Sequence, residues 1–132
     1  MRPIPVGAKG TYMLRVTPAH LANQFKDVSL PQVFATPMMV TAMENAALNA
    51  VRDYLDAGES AVGTGVNVRH LAATPVGHQV TAVAEVTKVD GRHIEFKVSA
   101  RDEIEEIGNG THERMVVDMA RLYQRLKAKK RP

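Results

Sequence analysis

The chain has 132 residues, of which 45% are hydrophobic and 23% charged. This length and composition are those of one globular domain, so we expect a single domain over residues 1–132. The formal net charge of +3 comes from a basic C-terminal segment, which holds Arg121, Arg125, Lys127, Lys129, Lys130 and Arg131. We interpret this segment as the solvated end of a helix. A nucleic-acid-binding protein would instead spread its positive charge over a folded face.

The chain contains no cysteine, which excludes a Cys nucleophile, a disulfide framework and a thiolate metal site. Residues 1–5 lack the apolar run of a secretory signal peptide. No stretch approaches the roughly 18 consecutive apolar residues that a membrane-spanning helix needs. We therefore expect a cytoplasmic protein with neither a membrane nor a nucleic acid as partner.

A short strand is predicted over residues 11–16, and the clearest helix in the chain follows over residues 37–57. Thr36 is predicted as the N-cap of this helix, Pro37 suits its first turn, and Gly58 suits its exit. At about 100° per residue, one side of the helix is mainly apolar. That side carries Met39, Val40, Met43, Ala47, Ala50, Val51 and Tyr54. The helix is therefore predicted to lie on an apolar surface.

After the helix the period of apolar residues changes to two, which predicts strands over residues 62–70, 80–86, 94–100 and 108–118. Asp90 and Gly91 form a hairpin turn signal between the second and third of these strands. In the first strand one face is predicted to carry Val62, Thr64, Val66, Val68 and His70. A short basic helix over residues 119–129 completes an α+β arrangement, in which an antiparallel sheet wraps around the long helix.

Several common catalytic motifs are absent from the sequence. No GxSxG surrounds a serine, and no Walker A sequence occurs. The glycine pairs Gly63/Gly65 and Gly108/Gly110 lack the third glycine of a dinucleotide fingerprint, and near strands such pairs more often indicate a bulge or a close backbone approach. The histidines show no HExxH or other metal-ligand spacing. We therefore expect neither a metal nor a separate cofactor.

Glu44 is the most informative single residue, because helical rotation places its carboxylate within the apolar arc of the long helix. Burial disfavours a charged carboxylate unless a partner is present, so Glu44 is either satisfied structurally or kept for chemistry. His70 ends an otherwise apolar strand face, where a hydrogen-bonded structural role is the commoner explanation. Thr36 is explained by capping alone. At about 1.5 Å of rise per residue, Glu44 lies about 12 Å from Thr36 along the helix, too far for direct contact. A partner molecule could bring such residues together in a shared cleft.

Three segments together resemble the fluoroacetyl-CoA thioesterase family, a group with the hotdog fold. They are residues 33–47 (VFATPMMVTAMENAA), residues 63–75 (GTGVNVRHLAATP) and residues 102–114 (DEIEEIGNGTHER). The spacings of threonine, glutamate and histidine agree with the family pattern, and the resemblance extends from about Val33 to Asp118.

The resemblance implies a long helix wrapped by an antiparallel sheet, in a homodimer with active sites at the subunit interface. Whether dimers pair into tetramers is left open. It also implies Thr36, Glu44 and His70 as the catalytic residues, and Gly63 and Arg114 as residues of the acyl pocket. The implied substrate is an acyl-CoA, so that CoA enters as part of the substrate and not as a cofactor.

One segment departs from the family pattern. Residues 26–31 correspond to a lid-like region over the acyl pocket, where the fluoroacetyl-specific enzyme is expected to carry aromatic residues. This chain has Asp27 and Leu30 there. We expect Leu30 to contact the acyl group, and we expect the thioesterase chemistry without the preference for fluorine.

The resulting hypothesis is hydrolysis of a small acyl-CoA to the free acid and CoA. Glu44 would act as the nucleophile or as a general base, assisted by His70 and Thr36. The alternative is a non-catalytic acyl-CoA binding or sensing module on the same fold, which would bind acyl-CoA without releasing thiol. A hydratase and a basic RNA-binding protein are weaker alternatives, since a fold alone does not choose a chemistry.

Overall fold

The computed structural model describes residues 1–25 and 27–131. Five strands form one antiparallel sheet: β1 (Lys9–Arg15), β2 (Glu59–His70), β3 (Gln79–Asp90), β4 (His93–Arg101) and β5 (Glu106–Asp118). Their order across the sheet is β1-β3-β4-β5-β2, so β2 lies at one edge. The helices are α1 (Ala22–Phe25), α2 (Thr36–Val51) and α3 (Met119–Ala128), with 3₁₀ turns at Pro18–His20 and Arg52–Tyr54.

Helix α2 lies across the inner face of the sheet, as the sequence predicted. Its buried residues are Met39, Ala42, Met43, Ala46, Ala47, Ala50 and Val51. They pack on the alternate inward-facing residues of the central strands, which include Val80, Ala82, Ala84, Val86, Ile94, Phe96 and Val98. Small side chains on both surfaces let the helix approach the sheet closely. At Gly10 of β1 a Cβ atom would overlap the backbone of Ala46 and Ala50, so only glycine fits there.

The ends of α2 differ from the prediction. Its N-cap is Ala35, and Thr36 is already the first helical residue, so the N-cap assignment of Thr36 is wrong. The α-helix ends at Val51 and not near Ala57, because the chain tightens into the 3₁₀ turn at Arg52–Tyr54. Gly58 lies beyond that turn with a φ of 81°, a conformation that favours glycine.

The period-two alternation predicted for the strands holds in β3, β4 and β5, but the single face predicted for β2 is wrong. A β-bulge between Gly63 and Gly65 leaves Thr64 out of the pairing with β5. Val62 therefore pairs with the outward-facing Met115, whereas Val66 pairs with the inward-facing His112. A bulge reverses the alternation of side chains beyond it. Val62 and His70 consequently do not share a face.

The remaining connections follow their sequence signals. The β3–β4 hairpin turns at Gly91 and Arg92, with Gly91 at a φ of 61°, and Asp90 pairs with His93. Asp118 caps α3, since its carboxylate accepts a hydrogen bond from the backbone N–H of Arg121 at 3.1 Å. Across the described part of the chain, no helix is both long enough and apolar enough to cross a membrane.

Candidate active site

Thr36 and His70 meet where α2 begins and β2 ends. Because Ala35 takes the capping position, the Thr36 hydroxyl is available for a tertiary contact, and its Oγ1 lies 2.8 Å from Nδ1 of His70. His70 is the last residue of β2 and pairs with Gly108 of β5. The turn after it is held by a hydrogen bond from the Leu71 N–H to the Ile107 carbonyl at 2.7 Å. The strand end and the helix start thus fix the two side chains against each other.

The His70 ring is partly withdrawn from water. Burial lowers its pKa below the usual histidine value, and a contact with the backbone of Ala72 offsets part of this effect. Its Nε2 is buried and has no hydrogen-bond partner among the residues that the structure describes. His70 is therefore a neutral imidazole near pH 7, with one nitrogen oriented by Thr36 and the other available to a further group.

An open pocket of about 380 Å³ adjoins this pair. It is lined by Ala22, Leu30, Val33, Phe34, Thr36, His70, Leu71, Ala72 and Ala73. Leu30 thus lies in the same pocket as Thr36 and His70. Asp27 instead stabilises its own turn, since its carboxylate accepts hydrogen bonds from the backbone N–H and the hydroxyl of Ser29, both at 2.9 Å. Lys26, the first residue of the predicted lid, lies outside the described residues.

Glu44 belongs to a second cluster on the flank of α2. Its side chain is 39% exposed, and its Oε2 lies 3.7 Å from Nη1 of Arg114. Directly beneath it is Gly63 of β2, where an added Cβ would come within 2.5 Å of the same Oε2. The Glu44 carboxylate therefore lies over the backbone of Gly63, with the buried Arg114 guanidinium on one side and an exposed surface on the other.

Arg114 is held from several directions. It is only 7% exposed, and it donates from Nη2 to the Ala61 carbonyl at 2.6 Å and from Nη1 to the Glu44 carbonyl at 3.3 Å. Burial lowers the pKa of its guanidinium, and the nearby Glu44 carboxylate opposes that shift. An arginine remains charged under such conditions, so the guanidinium acts as a fixed positive charge beside Glu44.

The sequence reasoning did not single out His112, which completes this second cluster. His112 is 2% exposed, and its Nε2 lies 3.1 Å from Nη1 of Arg114. Its position on the inward face of β5 with Arg114 and Val116 was visible in the period-two pattern. Two polar side chains alternating on a buried face were the signal that could have identified it.

The three predicted catalytic residues are not brought together within one chain. Thr36 and His70 are in contact, as are Glu44, Gly63 and Arg114. Thr36 and Glu44 are eight residues apart on α2, which corresponds to about 12 Å along its axis. Each chain therefore carries two separate half-sites.

A further group of potential metal ligands lies on the outer face of the sheet. Ligand atoms of His93, Glu95 and Glu113 all lie within 4.8 Å of one another, and His93 Nε2 is 3.4 Å from a Glu113 oxygen. All three residues are partly exposed. We regard this group as a histidine–carboxylate contact beside a second carboxylate and assign no metal to it.

Comparison with solved structures defines the class of protein. The fluoroacetyl-CoA thioesterase FlK superposes with a TM-score of 0.92 at 37% identity, covering 98% of this chain and 99% of FlK. A mutant of that enzyme, solved with fluoroacetate and CoA, gives a TM-score of 0.84 at 40% identity over 89% and 98% of the two chains. A thioesterase superfamily member of Thermus thermophilus gives 0.89 at 34% identity over 98% and 97%. The fold is the hotdog fold of the thioesterase superfamily.

The sequence comparisons identify the family within that class. Residues 16–120 match the model of the fluoroacetyl-CoA-specific thioesterases. The chain is also 46% identical over 99 residues to the fluoroacetyl-CoA thioesterase of Streptantibioticus cattleyicolor, covering 75% of this chain and 71% of that protein. The chain belongs to the fluoroacetyl-CoA-specific thioesterase family.

Proposed function

We propose that this chain hydrolyses the thioester of a small acyl-CoA to the free acid and CoA, with Glu44, His70 and Thr36 as its catalytic residues. The observation that carries the proposal is the environment of Glu44. Its carboxylate lies over a glycine and beside a buried arginine, yet more than a third of the side chain remains exposed. A carboxylate that is fixed in place and still accessible is suited to attack or to proton abstraction.

Two roles are open to Glu44. It attacks the thioester carbonyl, displacing the CoA thiolate and forming an anhydride that water then hydrolyses, or it removes a proton from the water that attacks the carbonyl. Arg114 supports both roles, because its buried guanidinium holds the carboxylate in position over Gly63. Both roles require that the carboxylate be ionised and reach the substrate.

His70 and Thr36 are proposed to orient the reacting groups. With the Thr36 hydroxyl donating to Nδ1, the proton of the neutral imidazole resides on Nε2, where it can orient a carboxylate or water or assist the departing thiolate. Thr36 also stands in the first turn of α2, where the helix dipole favours developing negative charge. This position suits a thioester carbonyl whose oxygen becomes negative during the reaction.

We further propose that the chain acts as a homodimer in which Glu44 of one subunit serves Thr36 and His70 of the other. The support is the edge strand β2, which passes beneath Glu44 at Gly63 and ends at His70. If two β2 strands pair antiparallel about a two-fold axis between residues 66 and 67, Gly63 of each strand lies opposite His70 of the other. Such a pairing would also cover two exposed strand edges.

The acyl preference follows from the same pocket. Leu30 and the small residues Ala22, Ala72 and Ala73 line it beside His70, which suits a small apolar acyl group. We expect no marked preference for fluoroacetyl-CoA, because Asp27 and Leu30 stand where the fluoroacetyl-specific enzyme is expected to have aromatic residues.

The cytoplasmic location expected from the sequence stays a prediction, which cell fractionation would check.

The proposal is tested by thiol release from short, branched, aromatic and fluorinated acyl-CoAs, with the wild type, Glu44→Ala and Glu44→Gln measured in parallel. We expect the wild type to release thiol and both variants to lose at least about a thousandfold in kcat. Full turnover by Glu44→Ala would overturn the proposed role of Glu44. Binding of acyl-CoA without any thiol release by the wild type would favour the non-catalytic module.

A further inference from the structure

The neutral ring of His112 connects Gly65 to Arg114 in the second cluster, which contains Glu44. Its Nδ1 lies 2.8 Å from the carbonyl oxygen of Gly65, which can only accept a hydrogen bond, so Nδ1 carries the ring proton. Its Nε2, 3.1 Å from Nη1 of Arg114, then has a lone pair and accepts a hydrogen bond from the guanidinium. The hydrogen-bond partners of the two ring nitrogens thus fix the ring proton on Nδ1.

The surroundings of His112 keep the ring in this state. It is 2% exposed and stacks on Phe96, with the ring centroids 5.8 Å apart and the planes 26° apart. Burial lowers its pKa most and the adjacent Arg114 charge lowers it further, against the opposing influence of the Gly65 hydrogen bond and of the Glu44 and Glu113 charges. A protonated ring would place a hydrogen on Nε2 in front of Arg114 and break the contact between them.

Nη1 of Arg114 is the nitrogen on which three contacts converge. It reaches Nε2 of His112 at 3.1 Å, the Glu44 carbonyl at 3.3 Å and the Glu44 carboxylate at 3.7 Å. The opposite Nη2 is anchored to Ala61. Without His112, the orientation of the guanidinium toward α2 would depend on the Ala61 and Glu44 contacts alone.

We propose that His112 is a positioning residue for the reaction, acting through Arg114. In its neutral form with the proton on Nδ1, it accepts a hydrogen bond from Arg114 and thereby holds the guanidinium beside the Glu44 carboxylate. This inference rests on the proposed thioesterase function and adds to it a residue that does not touch the substrate.

Two isosteric variants separate this role from simple packing. In His112→Gln the amide oxygen lies near the position of Nε2 and can still accept from Arg114. In His112→Asn the amide lies near the position of Nδ1 and can bond Gly65, but it does not reach Arg114. Loss of a hydrogen bond to a buried charged group lowers a rate by about tenfold to a hundredfold. We expect that decrease in kcat for His112→Asn, with KM changing less, and a kcat within about threefold of the wild type for His112→Gln.

A double-mutant cycle tests whether His112 acts through Arg114. Thiol release is measured for His112→Asn, Arg114→Lys and the double variant, with thermal unfolding of each chain recorded in parallel. We expect His112→Asn to lower kcat in the wild-type background and to have no further effect in the Arg114→Lys background. The inference would be overturned if His112→Asn lowered kcat equally in both backgrounds. It would also be overturned if His112→Gln lowered kcat as much as His112→Asn does.

The ring state provides a readout that does not depend on activity. Nitrogen NMR of the wild-type chain should show His112 protonated at Nδ1 and unprotonated at Nε2 at pH 7, and a proton on Nε2 would overturn the inference. A wild-type chain that shows this ring state but releases no thiol would contradict the proposed function instead, and the two failures are thereby distinguished.

Discussion

At the scale of single residues, the site depends on Gly63, a position without a side chain. The absence of a side chain at Gly63 creates the space in which the Glu44 carboxylate rests. Gly63 has no left-handed φ, so the backbone itself does not demand glycine. Glycine is required because a side chain at this position would collide with the Glu44 carboxylate.

Gly63→Ala should therefore inactivate the protein without unfolding it. The new methyl group would lie within 2.5 Å of Glu44 Oε2, and displacement of a catalytic group by about 1 Å can lower a rate about a hundredfold. Gly65→Ala is the matched control, because its methyl group would meet the end of the flexible, partly exposed Glu113 side chain. Thiol release should fall in the first variant and stay within a few-fold in the second. Equal activity of the two variants would contradict this account of Gly63.

Thr36 provides a second residue-scale prediction. Because Ala35 is the N-cap, Thr36→Val should leave the free energy of unfolding nearly unchanged, whereas loss of a capping threonine would lower it by about 1 kcal/mol. Loss of the hydroxyl that orients His70 should lower kcat about tenfold, and Thr36→Ser should restore it. The decrease should be smaller than that caused by Glu44→Ala. The opposite order, measured by thiol release, would show that the roles of the two residues are misassigned.

At the scale of elements, the close packing of α2 on the sheet determines where both half-sites lie, since Thr36 and Glu44 are carried by that one helix. Gly10→Ala should push α2 away from β1, because the new Cβ would overlap the helix backbone at Ala46 and Ala50. Overpacking of this kind lowers the free energy of unfolding by about 1–3 kcal/mol, or more where backbone must move. Thr11→Ala, at an exposed position on the same strand, is the control. Urea denaturation that shows the two variants equally stable would contradict the packing argument.

The elements were largely predictable because their periodicities are strong. The amphipathic pattern of α2, the alternation in β3 to β5 and the Asp90–Gly91 turn each reflect local preferences that the fold keeps. The glycine pair at Gly63 and Gly65 indicated a bulge or a close backbone approach, and the bulge is confirmed. Its effect on the strand face was not predicted, since the reversal beyond Thr64 depends on pairing with β5. The early end of α2 likewise depends on the tertiary position of the following 3₁₀ turn.

The site was predictable only in part. Thr36, Glu44 and His70 were named through the family resemblance, and the odd placement of Glu44 was visible from helical rotation alone. Within one chain Thr36 contacts His70, whereas Glu44 lies in a separate cluster. This arrangement is a long-range consequence of the wrapped sheet. His112 was missed because its significance depends on a guanidinium that only the folded chain brings within 3.1 Å.

At the scale of the whole molecule, the buried imidazole of His112 and the half-buried imidazole of His70 predict how stability depends on pH. Burial lowers the pKa of both His70 and His112, whereas both titrate near their usual pKa of about 6.5 in the unfolded chain. Just below that pH the unfolded state binds more protons than the folded state, so the free energy of unfolding falls as the pH drops from about 7 toward 5. Urea denaturation should show this decrease, and a His70→Gln/His112→Gln double variant should show a weaker one. An unchanged pH dependence in the double variant would contradict the assignment.

The proposed chemistry requires two subunits, because neither half-site is sufficient for it. If the sites form between subunits, a mixed dimer of one Glu44→Ala chain and one His70→Ala chain retains one intact site. In that site the intact Glu44 of one subunit meets the intact His70 of the other. If Glu44 and His70 instead acted within one chain, the mixed dimer would have no intact site.

The most direct test of the central claim is therefore thiol release by this mixed dimer, isolated through a different affinity tag on each chain. We predict about half the activity of the wild-type dimer, one intact site of two, while each variant homodimer is inactive. A mixed dimer as inactive as the two homodimers would contradict a shared active site.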